Sequence, residues 1–365
     1  MIPVANPLAS FLSAREEIER AMSRVLSSGT YILGREVERL EEEFAEFLGV
    51  RHSIAVANGT DGIALALKAL GVGAGDEVIT VSHTAVATVA AIEQVGAVPV
   101  LADIEPRTYT IDFESVRELT TERTAAVIPV HIYGQSADLD AALSYRAETS
   151  VPVIEDCAQA DGSQWRGQRV GSIGDIGVFS CYPTKNLGAL GDAGLVATSR
   201  PEVAERLRRL RQYGWQERNL SVEPGVNSRL DEVQAAVLRV QLERLDRQNR
   251  RRREIAQQYS SAFVDLPMST PFIREHSTHV FHLFVSEVEY RPKFQAALQH
   301  DGVGTAIHYP NPVHVQPAYA GRLHHGSLKV TEQVRDHVVS LPMFPELDDE
   351  SVQRVIEAVS RFFDS

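Results

Sequence analysis

The amino-terminal half of the chain alternates short β-branched runs with helical patterns of apolar residues, and this alternation constrains its fold most. Such a pattern is typical of an α/β fold with a mostly parallel sheet covered by helices. In open sheets of this kind ligands bind at the carboxyl ends of the strands, so residues that follow each run are candidates for chemistry. We expect a seven-stranded sheet, with strands at residues 53–57, 77–81, 98–103, 125–130, 151–155, 177–181 and 195–198.

The carboxyl-terminal part has a different pattern. An apolar stripe at helical spacing begins at Arg229 and continues toward Phe263, which predicts one long helix bridging two domains. Beyond Pro267 we expect a strand at residues 279–285 and helices near 292–299 and 352–362. The sequence therefore predicts a large domain of residues 1–248, opened by an amphipathic helix around 14–26, and a smaller α/β domain of residues 249–365.

Composition excludes several classes of protein. With 36 Lys and Arg against 49 Asp and Glu, the net charge is −13, which opposes binding of nucleic acid through its phosphates. Cys157 and Cys181 are too few for a disulfide framework and lack zinc-site spacing. No run approaches the ~18 apolar residues of a membrane span, and no signal peptide is evident. We expect a cytoplasmic protein with no membrane association.

Two basic or histidine-rich segments have ordinary interpretations. Residues 250–253 are four consecutive arginines, but consecutive residues on a helix point in different directions, which favours a solvated helix surface over a binding patch. His279 and His282 lie at odd spacing on a predicted strand, so they would face opposite sides of it. We therefore predict no metal site there or elsewhere.

The segment Asn58-Gly59-Thr60-Asp61-Gly62 lies between a predicted strand and a predicted helix. We expect Thr60 or Asp61 to cap that helix. Free amides at a helix start, together with the helix dipole, bind phosphate readily, and glycines allow close approach. On this motif alone, an ordinary strand-to-helix turn is the favoured interpretation over an anion site.

A carboxylate pair, Glu155-Asp156, ends an apolar strand. Alternation along the strand would direct one of the two into the cleft. A buried carboxylate needs a partner, and a protonated ring nitrogen would provide one through a charge-assisted hydrogen bond. The alternative is a carboxylate that caps the following helix.

Lys185 follows a buried strand in Ser180-Cys181-Tyr182-Pro183-Thr184-Lys185, before a glycine-rich turn. Burial lowers the pKa of a lysine and makes it a nucleophilic amine that can form a Schiff base. The alternative is a surface lysine beside a loop. Together, the lysine, the acid and the anion site match the requirements of pyridoxal phosphate.

These segments resemble the DegT/DnrJ family of nucleotide-sugar aminotransferases, in the fold-type-I group of pyridoxal phosphate enzymes. The resemblance runs nearly end to end. It is carried by residues 28–34, 58–62, 155–160, 179–194, 213–214, 227–236 and 304–310, with His314 and Gln316-Pro317.

The resemblance implies roles for individual residues. Lys185 would hold the cofactor (as pyridoxal or pyridoxamine phosphate), Asp156 would pair with its ring nitrogen, and Gln159 would lie near its phenolic oxygen. The cofactor phosphate would be bound by Gly59, Thr60, Asp61 and Ser180, with Asn227 from a neighbouring subunit, which implies a homodimer with shared sites. The sugar nucleotide would contact Tyr31, Tyr182, Arg229, His308, Tyr309 and His314.

One position departs from the family pattern. Relatives usually place an aromatic residue against the cofactor ring just after the position of Thr84, where this chain has Ala85. His83 is the alternative stacking residue, and Ala158 would pack against the opposite face of the ring.

The resemblance implies an aminotransferase that moves an amino group from L-glutamate to a keto-deoxysugar linked to a nucleotide diphosphate. The segment His83-Thr84-Ala85 resembles that of relatives which act at carbon 3 of thymidine-diphosphate sugars, and this resemblance favours a dTDP-3-keto-6-deoxyhexose. The alternatives are a 4-keto aminotransferase, a sugar dehydratase, in which histidine replaces the lysine, and a non-catalytic regulatory relative. A dinucleotide-dependent oxidoreductase is disfavoured because the chain lacks the Gly-x-Gly-x-x-Gly turn.

Overall fold

The structure, a computed structural model, describes residues 1–364. The helices are α1 (Pro7–Leu12), α2 (Arg15–Ser28), α3 (Arg35–Leu48), α4 (Gly59–Ala69), α5 (Val86–Gln94), α6 (Phe113–Leu119), α7 (Leu139–Thr149), α8 (Pro201–Leu210), α9 (Glu232–Phe263), α10 (Arg291–His300), α11 (Lys329–Val334) and α12 (Asp349–Asp364). The strands are β1 (His52–Val56), β2 (Glu77–Val81), β3 (Val98–Ala102), β4 (Thr124–Val127), β5 (Ile154–Asp156), β6 (Gln164–Trp165), β7 (Gln168–Arg169), β8 (Ile176–Ser180), β9 (Gly194–Thr198), β10 (Trp215–Glu217), β11 (Leu220–Ser221), β12 (Ser277–Thr278), β13 (Phe284–Glu287), β14 (His324–His325) and β15 (Val338–Leu341).

The central sheet structure consists of two four-stranded ladders, with strand orders β1-β9-β8-β5 and β14-β3-β2-β4. Strand β9 is antiparallel to β1 and β8, whereas β5 runs parallel to β8 and β2 runs parallel to β3 and β4. Isolated parallel bridges join Val127 to Val153 and Val130 to Asp156 between the two ladders. All seven predicted strands form near their predicted positions, and the mixed α/β class with parallel pairing is observed.

One continuous seven-stranded ladder is not observed. Pro129 and Pro152 both lie where β4 and β5 face each other, and neither has an amide hydrogen to donate. Their carbonyls still accept bonds, from Asp156 N at 3.0 Å and Val127 N at 3.0 Å respectively. The strand pair is therefore held by scattered bonds, and the short edge strand β14 is an addition that the sequence analysis missed.

Helix α4 packs unusually close to the sheet. All but three of its eleven residues are buried, and a Cβ added at Gly62 would lie 2.7 Å from Val178 Cγ1. Glycine is therefore required for this approach. Because α4 directly follows β1, its amino terminus is held at the edge where β5 and β8 end.

Helix α9 connects the two parts of the molecule without a break. The predicted domain boundary at residues 248 and 249 falls inside this helix. Its second half contributes Ile255, Tyr259 and Phe263 to a carboxyl-terminal core that also contains Phe284. Ile2 belongs to the same core, so the amino terminus packs with the carboxyl-terminal part.

The prediction of a strand at residues 279–285 is wrong at its start, because β13 begins only at Phe284. Phe281 has a positive φ of 45°, and its amide donates to His279 Nδ1 at 2.9 Å. The two rings stack with centroids 4.0 Å apart, which stabilises a turn where alternation predicted extended chain. The predicted helices near 292–299 and 352–362 are present as α10 and α12.

The arginine run also departs in part from its prediction. Arg250 and Arg253 are exposed, but Arg252 is buried and donates to the carbonyls of Phe281 and Met343 at 3.1 and 2.9 Å. Its guanidinium ties α9 to the carboxyl-terminal part. Across residues 1–364, no helix combines the length and apolar character needed to cross a membrane.

The packing of α3 on β8 generates a stability prediction. Phe44 is fully buried and meets Phe179 edge to face, with ring centroids 4.9 Å apart. We expect Phe44→Ala to lower the free energy of unfolding by about 3–5 kcal/mol, because it removes a buried ring and leaves a cavity. Urea unfolding measures this loss. Leu26→Ala, at a residue 62% exposed, is the control, and equal effects of the two substitutions would contradict the prediction.

Candidate active site

A cavity of about 350 Å³ opens where β5 and β8 end and α4 begins. This volume lies within the range of small-molecule sites. Eight of the predicted residues line it: Gly59, Thr60, Asp156, Ala158, Gln159, Ser180, Tyr182 and Lys185. The three sequence segments that suggested an anion site, an acid and an amine therefore meet in one place.

The start of α4 forms one wall of the cavity. Asn58 Oδ1 accepts from the Asp61 amide at 2.8 Å, so Asn58 caps the helix and the prediction that Thr60 or Asp61 does so is wrong. Asn58 precedes the helix in extended conformation, which is the geometry of an N-cap. The Asp61 side chain is not part of the lining.

Gly59 brings this wall against the end of β8. A Cβ at Gly59 would lie 2.7 Å from Ser180 Cβ, so any side chain there would force the two elements apart. The contact places the Ser180 hydroxyl beside the first amides of α4, which have no partner within the helix. The combination of amides, hydroxyl and positive dipole end suits a phosphate.

Asp156 is the carboxylate that faces the cavity. Thr88 Oγ1 donates to its Oδ2 at 2.8 Å, and the Ala158 amide donates to its Oδ1 at 3.1 Å. Burial raises the pKa of Asp156, while these two bonds and the Lys185 charge act in the opposite direction. Thr88 was not predicted, although it is an isolated polar residue in the apolar helix α5.

Glu155 points away from the cavity, which resolves the choice that the sequence left open. Its carboxylate accepts from His131 Nε2 at 3.0 Å and from the amides of Gly171 and Gly174 at 2.8 and 2.7 Å. Burial alone would raise the pKa of Glu155, but these bonds outweigh burial and lower it. Glu155 therefore anchors the loop after β7.

Ligand atoms of His131, Glu155 and Cys157 lie within 4.8 Å of one another, which is close enough to suggest a metal site. However, the Ala137 amide donates to His131 Nδ1 at 3.0 Å, so Nε2 carries the proton that Glu155 accepts. Both ring nitrogens are thus engaged. The cluster is explained as a hydrogen-bonded core network.

Lys185 is the only one of the four lysines that lines the cavity. Burial lowers its pKa, against the opposing charges of Asp156 and Asp161. Asp161 was not predicted as a site residue. It is buried, its Oδ1 has no hydrogen-bond partner, and burial raises its pKa to about 7, with the Lys185 charge opposing the rise.

Gln159 links the cavity to the segment at residues 308–309. Its Nε2 donates to Tyr309 Oη at 2.8 Å, and its Oε1 accepts from the Tyr133 amide at 2.7 Å. Burial raises the pKa of Tyr309 to about 12. Burial and the Lys185 charge lower the pKa of His308 to about 4.

His83 is not part of the cavity lining, whereas Ala85 and Ala158 are. The His83 ring is fully buried, and its Nε2 lies 2.5 Å from the Tyr133 hydroxyl. The lining therefore gives no support to stacking of His83 on a cofactor ring, which stays a prediction.

Four other predicted residues lie outside the cavity. Arg229 lines a second cavity of about 450 Å³, together with Ile32 and Trp215. The other three are Tyr31, which is 51% exposed, Asn227, which is exposed, and His314, whose Nδ1 lies 2.7 Å from Ser82 Oγ.

Comparison with known proteins identifies the family. The model of the DegT/DnrJ/EryC1/StrS aminotransferase family matches residues 13–360, and the chain belongs to this family. It is 45% identical over 362 residues to the dTDP-3-amino-3,6-dideoxy-alpha-D-galactopyranose transaminase of Aneurinibacillus thermoaerophilus, covering 99% of each chain. It is also 45% identical over 357 residues to the erythromycin biosynthesis sensory transduction protein EryC1 of Saccharopolyspora erythraea, covering 97% of this chain and 98% of that one.

Solved structures confirm the predicted fold-type-I architecture. The structure of S. venezuelae DesV in complex with a ketimine intermediate matches with a TM-score of 0.97 and 42% identity, covering 100% of this chain and 99% of that chain. The structure of ntda from Bacillus subtilis with bound cofactor PMP matches with a TM-score of 0.92 and 31% identity, covering 100% of this chain and 86% of that one.

The buried Asp161 generates a pH prediction. Its pKa rises from an ordinary value of 3.8 to about 7 in the folded chain. Between these values the unfolded carboxyl has lost its proton while the folded one retains it, so stability is present below about pH 4 and is lost as the pH rises toward 7. We expect Asp161→Asn to remove this part of the decline.

Thermal unfolding between pH 4 and pH 8 measures the difference between wild type and variant. The exposed residue Asp265 provides the control, since Asp265→Asn should leave the pH dependence unaltered. Parallel curves for wild type and Asp161→Asn over this range would contradict the prediction.

Proposed function

We propose that this protein is a pyridoxal-phosphate-dependent aminotransferase that transfers an amino group from L-glutamate to a keto-deoxysugar linked to a nucleotide diphosphate. The observation that carries the proposal is that Lys185 and Asp156 line one cavity with the start of α4. These are an amine, an acid and an anion site. Membership in an aminotransferase family supports the same reaction class.

The residues present fit this cofactor. The free amides of α4, with Ser180 held against Gly59, suit its phosphate, and Asp156 suits its ring nitrogen. When bound, the cofactor supplies an aldehyde that condenses with an amine and a heterocycle that accepts electrons. Lys185 is the amine that the cavity offers, and Gln159 lines the same cavity and donates one amide hydrogen to Tyr309.

Lys185 and Asp156 would have different roles in the reaction. Burial lowers the pKa of Lys185, which favours the neutral amine, the form that could take up a proton from the substrate and return it. Asp156 is ordered by Thr88 and the Ala158 amide, both of which donate to the carboxylate. These two hydrogen bonds oppose the rise in pKa that burial causes and favour the ionised carboxylate, the form that would hold a proton on the ring nitrogen.

The acceptor is proposed from the relatives. Beside the Aneurinibacillus enzyme, a UDP-N-acetyl-3-dehydro-alpha-D-glucosamine 3-aminotransferase of Acidithiobacillus ferrooxidans is 41% identical over 361 residues. Both names place the nitrogen at carbon 3, which supports a dTDP-3-keto-6-deoxyhexose over a 4-keto sugar. Lys185 disfavours a dehydratase, and a regulatory role is the alternative that the name of EryC1 suggests.

We also propose a homodimer with shared sites. Asn227 is exposed in the single chain, and Arg229 lines a cavity separate from that of Lys185. Tyr31 and Ile32 are 51% and 42% exposed beside that second cavity. A contribution of Tyr31, Asn227 and Arg229 to a partner's site would explain why these three residues, which the family resemblance implies for the site, lie outside the cavity of their own chain.

An optical experiment tests the function. Protein mixed with pyridoxal phosphate should become yellow, glutamate should bleach the colour, and borohydride should fix the cofactor covalently. We expect Lys185→Ala to lose the borohydride-stable adduct and to lower turnover at least about 10²-fold. Mass spectrometry of the reduced protein and amine transfer to a panel of nucleotide ketosugars are the measurements.

Lys293→Ala is the matched control, because Lys293 is exposed and lies outside the cavity. It should behave as wild type. A wild-type protein that stays colourless, or an adduct that survives in Lys185→Ala, would contradict the proposal. Cofactor binding without amine transfer to any ketosugar would favour the regulatory alternative.

Mixing of variants tests the shared site. Lys185→Ala and Asn227→Ala each impair one element of every site in a homodimer of identical chains. In a mixed dimer, one site would combine intact Lys185 with intact Asn227, so activity should partly recover, toward about a quarter of wild type in a random mixture of inactive variants. Steady-state turnover after mixing and re-equilibration measures the recovery, and its absence would argue against shared sites.

A further inference from the structure

Tyr133 joins the cavity to the segment at residues 308–309, and neither the family resemblance nor the sequence patterns assigned it a role. It lies after β4 with a φ of 61° and is 3% exposed. Its amide donates to Gln159 Oε1 at 2.7 Å, and its carbonyl accepts from the Leu283 amide at 3.1 Å. The backbone of Tyr133 therefore fixes the orientation of Gln159.

The side chain of Tyr133 makes a second set of contacts. Its hydroxyl donates to the carbonyl oxygen of His308. A phenol has one hydrogen, so His83 Nε2, 2.5 Å away, must donate to the same hydroxyl. Burial lowers the pKa of His83 to about 4, which is consistent with a neutral ring that carries its proton on Nε2. The ring of Tyr133 packs edge-on against Tyr109 with centroids 5.7 Å apart.

These contacts close a ring of hydrogen bonds. Tyr133 N donates to Gln159, Gln159 Nε2 donates to Tyr309 Oη, and the peptide of His308 and Tyr309 returns to Tyr133 through the His308 carbonyl. The ring joins Gln159, which lines the cavity, to a segment from the carboxyl-terminal part. Tyr133 and Gln159 are buried and the bonds to His308 and Tyr309 are partly buried, so a lost bond would leave a polar group with little access to water.

We propose that Tyr133 is a positioning residue that holds His308 and Tyr309 against Gln159 and so shapes the acceptor side of the site. This inference rests on the proposed function. Its hydroxyl contacts the His308 carbonyl and His83 Nε2, whereas its amide holds Gln159. Removal of the hydroxyl should therefore make the segment at residues 308–309, which we call the acceptor wall, more mobile. The positions of Lys185 and Asp156, and the half-reaction with the amino donor, should not change.

Tyr133→Phe separates the two sets of contacts, because it keeps the ring and the backbone amide. Tyr145→Phe is the matched control, since Tyr145 is also fully buried and its hydroxyl lies 2.9 Å from Thr120 Oγ1, outside the cavity. The rate of hydrogen-deuterium exchange in peptides covering residues 306–310 measures the mobility of the segment that contains His308 and Tyr309. We expect exchange there to become about tenfold faster in Tyr133→Phe only.

The kinetic probe is dTDP-3-amino-3,6-dideoxy-α-D-galactopyranose with 2-oxoglutarate, which runs the reaction in reverse. We expect Tyr133→Phe to raise KM for the amino sugar about tenfold, with the rate of cofactor bleaching by glutamate within about twofold of wild type. Calorimetric affinity for pyridoxal phosphate should also stay within about twofold. An equal loss in both half-reactions would mark a merely structural role and overturn the inference.

A double-mutant cycle provides an independent test. Tyr309→Phe breaks the same ring at Gln159, so the double variant with Tyr133→Phe should raise KM little more than the larger single effect. Multiplicative effects would overturn the inference, as would unchanged exchange at 306–310. A wild type that never turns yellow or transfers amine defeats the proposed function itself, whereas an active wild type with unchanged KM in Tyr133→Phe defeats the role of Tyr133 alone.

Discussion

The contact between Gly59 and Ser180 is the constraint on which the rest of the site depends. With only a hydrogen in place of a side chain at Gly59, the first turn of α4 reaches the last residue of β8. The amide end of a helix and a hydroxyl at a strand end then share one wall. One turn later, Gly62 also packs closely against β8. The close contact between α4 and β8 therefore depends on the helix itself and not on a loop.

Three buried carboxylates within seven residues differ in pKa and in role because their hydrogen-bond partners differ. Glu155 accepts several hydrogen bonds, which lower its pKa, and it holds the loop after β7 in place. Asp156 has two donors and faces the cavity. Asp161 has an oxygen without a partner, and its pKa is raised to about 7. The first is suited to holding a loop, the second to pairing with a cation, and the third to holding a proton.

Sequence reasoning found those parts of the molecule that depend on local pattern. β-Branched runs located the seven strands, and strand-end positions pointed to Asp156 and Lys185, which line the cavity. Alternation alone could not choose between Glu155 and Asp156, because the twist and termination of a three-residue strand are decided by its neighbours. The capping prediction for Thr60 or Asp61 failed because Asn58, one position before the helix, offers the better acceptor geometry.

Residues whose role depends on distant partners were missed. Thr88 donates a hydrogen bond to Asp156, which lies 68 positions further along the chain, and Tyr133 donates one to the His308 carbonyl, 175 positions further along. No periodicity encodes such pairs, since they arise only when separate elements pack. Stacking by His83 was inferred from a flat ring at a suitable sequence position and stays a prediction, although its Nε2 contacts the Tyr133 hydroxyl.

The first residues of the chain have a consequence for assembly of the molecule. Ile2 exchanges backbone bonds with Gly302 and Gly304 at 2.8 Å, and Val4 accepts from Met343 at 3.0 Å. Residues 2–4 therefore acquire these neighbours only after residues 302–304 and 343 have been synthesised. Loop closure over that separation is entropically costly, so we expect this part of the carboxyl-terminal core to form late in folding.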